Sequence, residues 1–252
     1  MPDFYDGGHA ANGSDGGPFV ALIHGAGSNH TVWRYQTRFL ANRGYRVMAF
    51  DLPGHGSNPA PGQRSVAEMA AWLGDRIPEP GAIIGHSLGG LIALELARTQ
   101  PNLVERLALL GCSTRMEVNP RLQLAADARD PSAIAMIVGW SYSGHMGRHP
   151  EPGINPTRIT ARLLESELTN LGPDLFASSA YEDGAEAVRA VKMPALVIAG
   201  GRDRMAPSVG VKEMSAAIDD AQFLFIADGG HFMNTDSPDT VRKSLSTFLP
   251  SP

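Results

Sequence analysis

The sequence predicts an α/β fold: a mostly parallel, twisted sheet with helices on both faces, interrupted by a helical cap insertion. Three observations carry this reading. Short apolar runs alternate with helix-like segments, the pattern of strand–helix–strand crossovers. Runs such as "FVALI" and "ALVIAG" are apolar without alternation, as strands buried on both faces are. Residues 114–189 then break the rhythm with helical periodicity alone.

Taken in order, "FVALIHG" (Phe19 to Gly25) is the first long strand. "TVWRYQTRFLANRG" follows as a helix, with Trp33, Phe39 and Leu40 at helical spacings and Gly44 as the C-cap. "YRVMAFDLPG" is a strand stopped by Pro53 and Gly54, and "SVAEMAAWLGDRI" opens on a capping-box-like Ser65 and Glu68. Next come the strand "AIIGHS", the helix "LGGLIALELARTQ" and the strand "ERLALLGC". The insertion carries "RLQLAADA", "SAIAMIVGWSY" and "TRITARLLESEL", all of helical pattern. "PALVIAGG" and "QFLFIAD" are the last strands, and the final helix runs from about Ser237 to Leu249. The expected division is a core of residues 1–113 and 190–252, with a cap of residues 114–189 over one end of the sheet. Ligands on such sheets bind beyond the carboxyl ends of the strands.

The bulk numbers narrow the partners. A chain of 252 residues with 43% hydrophobic and 19% charged content is an ordinary globular domain. A net charge of −5 without a basic cluster excludes nucleic acid and anionic membrane as expected partners. The start "MPDFYDGGHAANGSDGG" has neither the positive nor the apolar region of a secretory signal, and no apolar run approaches a membrane span. The single cysteine, Cys112, allows no internal disulfide and no multi-cysteine metal site. A cytoplasmic location is expected, with a homodimer as the one protein assembly left open.

The chemistry concentrates at "GHSLGG". G-x-S-x-G alone is a weak signal, but here it ends a strand and opens a helix, the setting of a nucleophile elbow. A serine on so sharp a bend sits in strained backbone with its hydroxyl pointing out, and chain passing close by demands glycine at Gly85 and Gly89. The helix N-terminus adds partial positive charge where an oxyanion would form. A serine hydroxyl also needs a base, and the base needs a carboxylate to hold its tautomer. His231, in "IADGGHFMNTDSP", follows the last strand; Asp203, in "IAGGRDRMAP", follows the strand before it. The order Ser87, Asp203, His231 is that of a strand-end triad on an α/β sheet. Asp228 is a rival acid, but three residues from His231 it is too near in the chain to reach around to Nδ1. Leu88 and Ala26 are the candidate oxyanion-hole donors, the first after the serine and the second in the small-residue loop "HGAGSNH".

At this point the sequence resembles the α/β-hydrolase family. "LIHGAG", "DLPGHGSN", "GHSLGG", "GGRDRMAP" and "GGHFM" occur in the family's order from about Phe19 to Leu249. The resemblance is greatest to its compact, cofactor-independent bacterial hydrolases with a helical cap. It implies Ser87 as nucleophile, His231 as general base and Asp203 as the acid that orients it. Branches of the family that dehalogenate or open epoxides carry aspartate at the elbow, so serine argues against both. The short polar N-terminus leaves little room for the family's first two strands, so six or seven strands are expected.

His24, Met136, Trp140 and Met146 are candidates for the substrate pocket. His24 is also expected to bond backbone and hold the oxyanion loop, and His55 to brace the site from below. His86 is expected to point away from Ser87, and Cys112 to be a buried filler. His145 and His149, four apart among glycines and a proline, make a poor metal site. Neither a metal nor a cofactor is expected. The expected activity is hydrolysis of a small or medium carboxylic ester through an acyl-enzyme. A lactone, a thioester or a carbon–carbon bond beside a carbonyl would use the same triad, and a non-catalytic ligand-binding module is the distant alternative.

Overall fold

The computed structural model describes residues 4–6, 17–142 and 153–252. The chain runs β1 (Phe4–Asp6), β2 (Phe19–Ile23), α1 (Arg34–Ala41), β3 (Arg46–Phe50), α2 (Val66–Gly74), β4 (Gly81–His86), α3 (Leu88–Thr99) and β5 (Val104–Leu110). Five helices follow: α4 (Pro120–Asp127), α5 (Ser132–Tyr142), α6 (Pro156–Ser166), α7 (Leu168–Ser179) and α8 (Gly184–Ala190). The chain ends with β6 (Ala195–Gly200), α9 (Ser208–Ala216), β7 (Gln222–Ile226), α10 (Met233–Asp236) and α11 (Pro238–Phe248).

Among the described residues the strands form one seven-stranded sheet in the order β1-β3-β2-β4-β5-β6-β7. All pairings are parallel except β1 with β3. The polar N-terminus therefore does supply a strand, a short antiparallel edge pairing Phe4 with Phe50. Three residues are too few for a periodicity signal, which is why the sequence left the count open.

Every residue of β2, β4 and β6 is buried, because helices cover both faces. The two-residue period divides them cleanly. Ala21, Ile23, Ile83, Val197 and Ala199 face a core shared with α2, α3, α8 and α9. Val20, Leu22, Ile84, Leu196 and Ile198 face the core of α1 and α11. Helices α4 to α7 bring Leu122, Ile134, Leu164 and Leu175 into that second core beside Phe232 and Met233. α8 behaves differently: Ala187 and Val188 pack with α3 in the first core, as a crossover helix would.

Local signals explain the helix ends. Ser65 accepts from the Glu68 amide at 3.2 Å, while Glu68 reaches back one residue early, to the Arg64 amide at 3.2 Å. Gly44 takes a φ of 96° just beyond α1, where its amide bonds to the Ala41 carbonyl. α11 lies within one residue of its expected span at each end. No helix among the described residues is long and apolar enough to cross a membrane.

Strand order reverses between β2 and β4, since β2 leads to β3 on one side and β4 lies on the other. The loops leaving β2 and β4 part there, and the crevice between them lies outside the carboxyl ends of the strands.

Candidate active site

β4 ends at His86 and α3 begins at Leu88, so Ser87 alone turns strand into helix. Its φ of 53° and ψ of −119° are strained for a residue with a side chain. The Ser87 amide donates to the Leu110 carbonyl at 2.9 Å and fixes the bend to β5. A Cβ on Gly85 would collide with the Gly89 carbonyl, and one on Gly89 with the Ile23 carbonyl. Both glycines are therefore required by close backbone approach. Leu88 is the first residue of α3, where amides have no partner within the helix.

Asp203 and His231, 28 residues apart in the chain, meet at the carboxyl end of the sheet, with His231 Nδ1 2.8 Å from Asp203 Oδ2. Asp203 Oδ1 accepts from the amides of Met205 and Ala206, each at 2.8 Å. α5 braces both loops: Arg204 N–H donates to the Trp140 carbonyl at 3.1 Å and His231 N–H to the Ser141 carbonyl at 2.9 Å. His86 also holds His231, donating from Nε2 to its carbonyl at 2.9 Å. Burial, reinforced by His231, drives the His86 pKa well down, so its ring is neutral with the proton on Nε2.

Ser87, His231 and Ala26 border one cavity of about 250 Å³. Its apolar wall includes Met116, Leu122, Ile137, Trp140, Leu175 and Phe232, with Glu117 and Arg204 as charged groups. Ligand pockets commonly run from about 300 to 1,000 Å³, so this one suits a small molecule. The sequence pointed to Ile137 and Trp140, apolar residues of the insertion, and singled out none of the others. Met205 and Phe232 could have been found as chain neighbours of Asp203 and His231.

Two of the candidate pocket residues are corrected. His24 is fully buried away from the cavity: its Nδ1 donates to the Gly25 carbonyl at 2.9 Å and its Nε2 accepts from the Leu52 amide at 3.1 Å. It holds backbone and does not line the cavity. Met136 packs against the second core and is not among the residues that border the cavity, although it lies one turn before Trp140, which does border it. Met146, His145 and His149 lie outside the described residues. His86 does border the cavity, although its bonded nitrogen points to His231. Asp228 is on the surface, 2.5 Å from Arg202. Burial raises the Cys112 thiol to about 12, and its sulfur fills the space beside Gly90.

The loops that follow β2 and β3 are tied by Asp51, which accepts from the His30 amide at 2.8 Å and the Ser57 amide at 2.9 Å. Burial works against the charged carboxylate there, but the bonds from His30 and Ser57 outweigh it and hold the pKa well below the ordinary range.

The family model described as "Alpha/beta hydrolase family" matches residues 20–243. A pimeloyl-[acyl-carrier protein] methyl ester esterase of Aromatoleum aromaticum is 31% identical over 241 residues, covering 85% of this chain and 91% of its own. A putative carbamate hydrolase of Enterobacter cloacae is 28% identical over 251 residues, covering 94% and 93%. Among solved structures, the enol-lactonase of Burkholderia xenovorans superposes with a TM-score of 0.85 at 21% identity, over 97% of this chain and 95% of its own. The last likeness is one of fold. With the family model spanning nearly the whole sheet and its helices, the chain belongs to the alpha/beta hydrolase family.

Proposed function

We propose that the chain is a serine hydrolase that cleaves a small or medium, partly apolar carboxylic ester through an acyl-enzyme. The observation that carries this is the buried His231–Asp203 pair, with His231 on the same cavity as a strained elbow serine. With Nδ1–H given to Asp203, His231 Nε2 is left as a lone pair to take the Ser87 proton. Ser87 Oγ attacks the acyl carbon, and the Ala26 and Leu88 amides stabilise the oxyanion. His231 returns the proton to the departing alcohol, and then draws one from the water that hydrolyses the acyl-enzyme. Helices α4 to α7 act as a cap whose apolar side chains receive the acyl or alcohol group. The esterase named among the relatives acts on a methyl ester, which supports an ester over a lactone or a carbon–carbon bond.

The test is a panel of esters of graded acyl length, with lactones, thioesters and ring-cleavage diketones, each run beside Ser87→Ala. A fluorophosphonate probe should label the wild type and not the variant. The variant should lose turnover by a factor on the order of 10⁶. An unlabelled wild type, or a variant keeping a tenth of the activity, overturns the reading.

A further inference from the structure

α7 and the residue that precedes it present three polar side chains on one face, at the three- and four-residue spacings of helical neighbours. Each reaches a loop of the core. Glu167 Oε1 accepts from Asn29 Nδ2 at 2.7 Å and from the Gly56 amide at 3.0 Å. Asn170 Nδ2 donates to the Gly54 carbonyl at 2.7 Å. Asp174 Oδ2 accepts from the Gly27 amide at 2.8 Å and lies 2.9 Å from His55 Nε2. Gly27 directly follows Ala26, in the loop that borders the cavity. Its φ is 58°, and a Cβ there would come within 2.7 Å of Leu171 Cδ1, so α7 sits directly on the bend.

The side chains of Asp174 and His55 are both 2% exposed. A buried ion pair is a poor way to gain stability, since desolvation cancels much of the attraction. Leucines on the same helix face would hold α7 as firmly. What a charged acceptor adds is direction: it fixes one amide and one imidazole relative to each other. We propose that Asp174 is a positioning residue for the reaction: it locks the helical insertion onto the oxyanion loop and sets the Ala26 amide where the oxyanion develops. This rests on the serine-hydrolase reading.

The surroundings agree with an ionic pair. Burial alone would depress the His55 pKa, but the charge and hydrogen bond of Asp174, with the charge of Glu167, outweigh it and raise the value to about 9. His24, at the end of β2, faces His55 with ring centroids 4.9 Å apart. Burial, then the His55 charge, lowers His24 to about 4 against the smaller pulls of Asp51 and Asp174, so only His55 of the two is protonated at neutral pH.

The test compares Asp174→Asn with Asn170→Ala. Both loosen the same helix, but only the first weakens the hold on the oxyanion loop, by exchanging a charged acceptor for a neutral one. Both should lower Tm. Asp174→Asn alone should lower kcat, by about 10- to 100-fold with KM within about threefold, as a misplaced oxyanion donor would. Equal falls in kcat for both variants, or no fall in Asp174→Asn, overturn the proposal. Amide exchange read on the same proteins needs no activity. Exchange at Gly27 should quicken by about tenfold or more in Asp174→Asn and not in Asn170→Ala; unchanged exchange overturns the proposal. A wild type that hydrolyses no ester, with the exchange result as expected, sinks the hydrolase reading and leaves a latch without a reaction, which also ends the positioning role. If Asp174→Asn fails to fold, His55→Gln removes the charge and keeps a donor. It should lower kcat about 3- to 10-fold, and an unchanged kcat overturns the proposal.

Discussion

Asp203 and His231 share a hydrogen bond of 2.8 Å, and the other Asp203 oxygen is held by two backbone amides at the same distance. The carboxylate therefore cannot rotate to offer a different atom, and the imidazole must keep its proton on Nδ1. Asp203→Asn changes little in shape but can place an amide N–H opposite Nδ1, which selects the wrong tautomer. We expect a fall in kcat of about 10⁴-fold with the fold intact. Ester turnover measured beside circular dichroism checks it, and a variant within tenfold of the wild type would remove Asp203 from the mechanism.

The elbow predicts a contrast between two glycines. A Cβ on Gly89 meets the backbone carbonyls of Ile23 and His24, which cannot move without disturbing β2. Gly89→Ala should cost about 4 kcal/mol or more, enough to deplete folded protein. Gly139 lies inside α5, where a Cβ meets nothing within 4 Å. Gly139→Ala should stabilise by about 0.5–1 kcal/mol. Thermal melts of the two variants should move in opposite directions.

Strand and helix types were legible wherever an element was long and strongly apolar, as in β2, β4, β6 and α3. The elbow was legible because its sterics are local: Gly85, Ser87 and Gly89 lie within five residues. Asp203 and His231 were legible because both follow strands at the same edge. α7 was not named, and its "LTNLGPDLFASS" carries Gly172 and Pro173, two residues that disfavour a helix interior. With α7 unread, the Asp174–His55 contact across 119 residues had no sequence signal. His24 was legible as a holder of backbone but was also offered to the pocket, since the Leu52 amide that occupies its second nitrogen lies on another strand's loop and leaves no local sequence signal.

The Asp174–His55 pair also predicts how stability depends on pH. The folded pKa of His55 is about 9 against an ordinary 6.5. A raised histidine pKa means the folded state holds the proton more tightly. Its contribution is complete below about 6.5 and is lost as pH rises through about 9. The shift corresponds to an order of 3 kcal/mol. Urea midpoints of the wild type should fall between about pH 7 and 9, and those of His55→Gln should fall less. Parallel curves would mean His55 is neutral in the fold.

Asp236 predicts the reverse. Its Oδ2 accepts from the Gly230 amide at 2.8 Å, one residue before His231. Burial raises its pKa to about 6 against the hydrogen bonds of Ser237 and Gly230, with a smaller push from the Asp203 charge and a smaller pull from His231. A carboxyl with a raised folded pKa binds its proton more tightly in the fold than when unfolded. The resulting cost is absent below about 4, grows as pH rises and is complete above about 6. Asp236→Asn keeps a carbonyl for the Gly230 amide and cannot ionise. Relative to the wild type it should gain stability between pH 4 and 7, by up to about 3 kcal/mol. Urea unfolding of both proteins across that range gives the difference directly. A constant difference would show that Asp236 ionises in the fold as readily as it does in water.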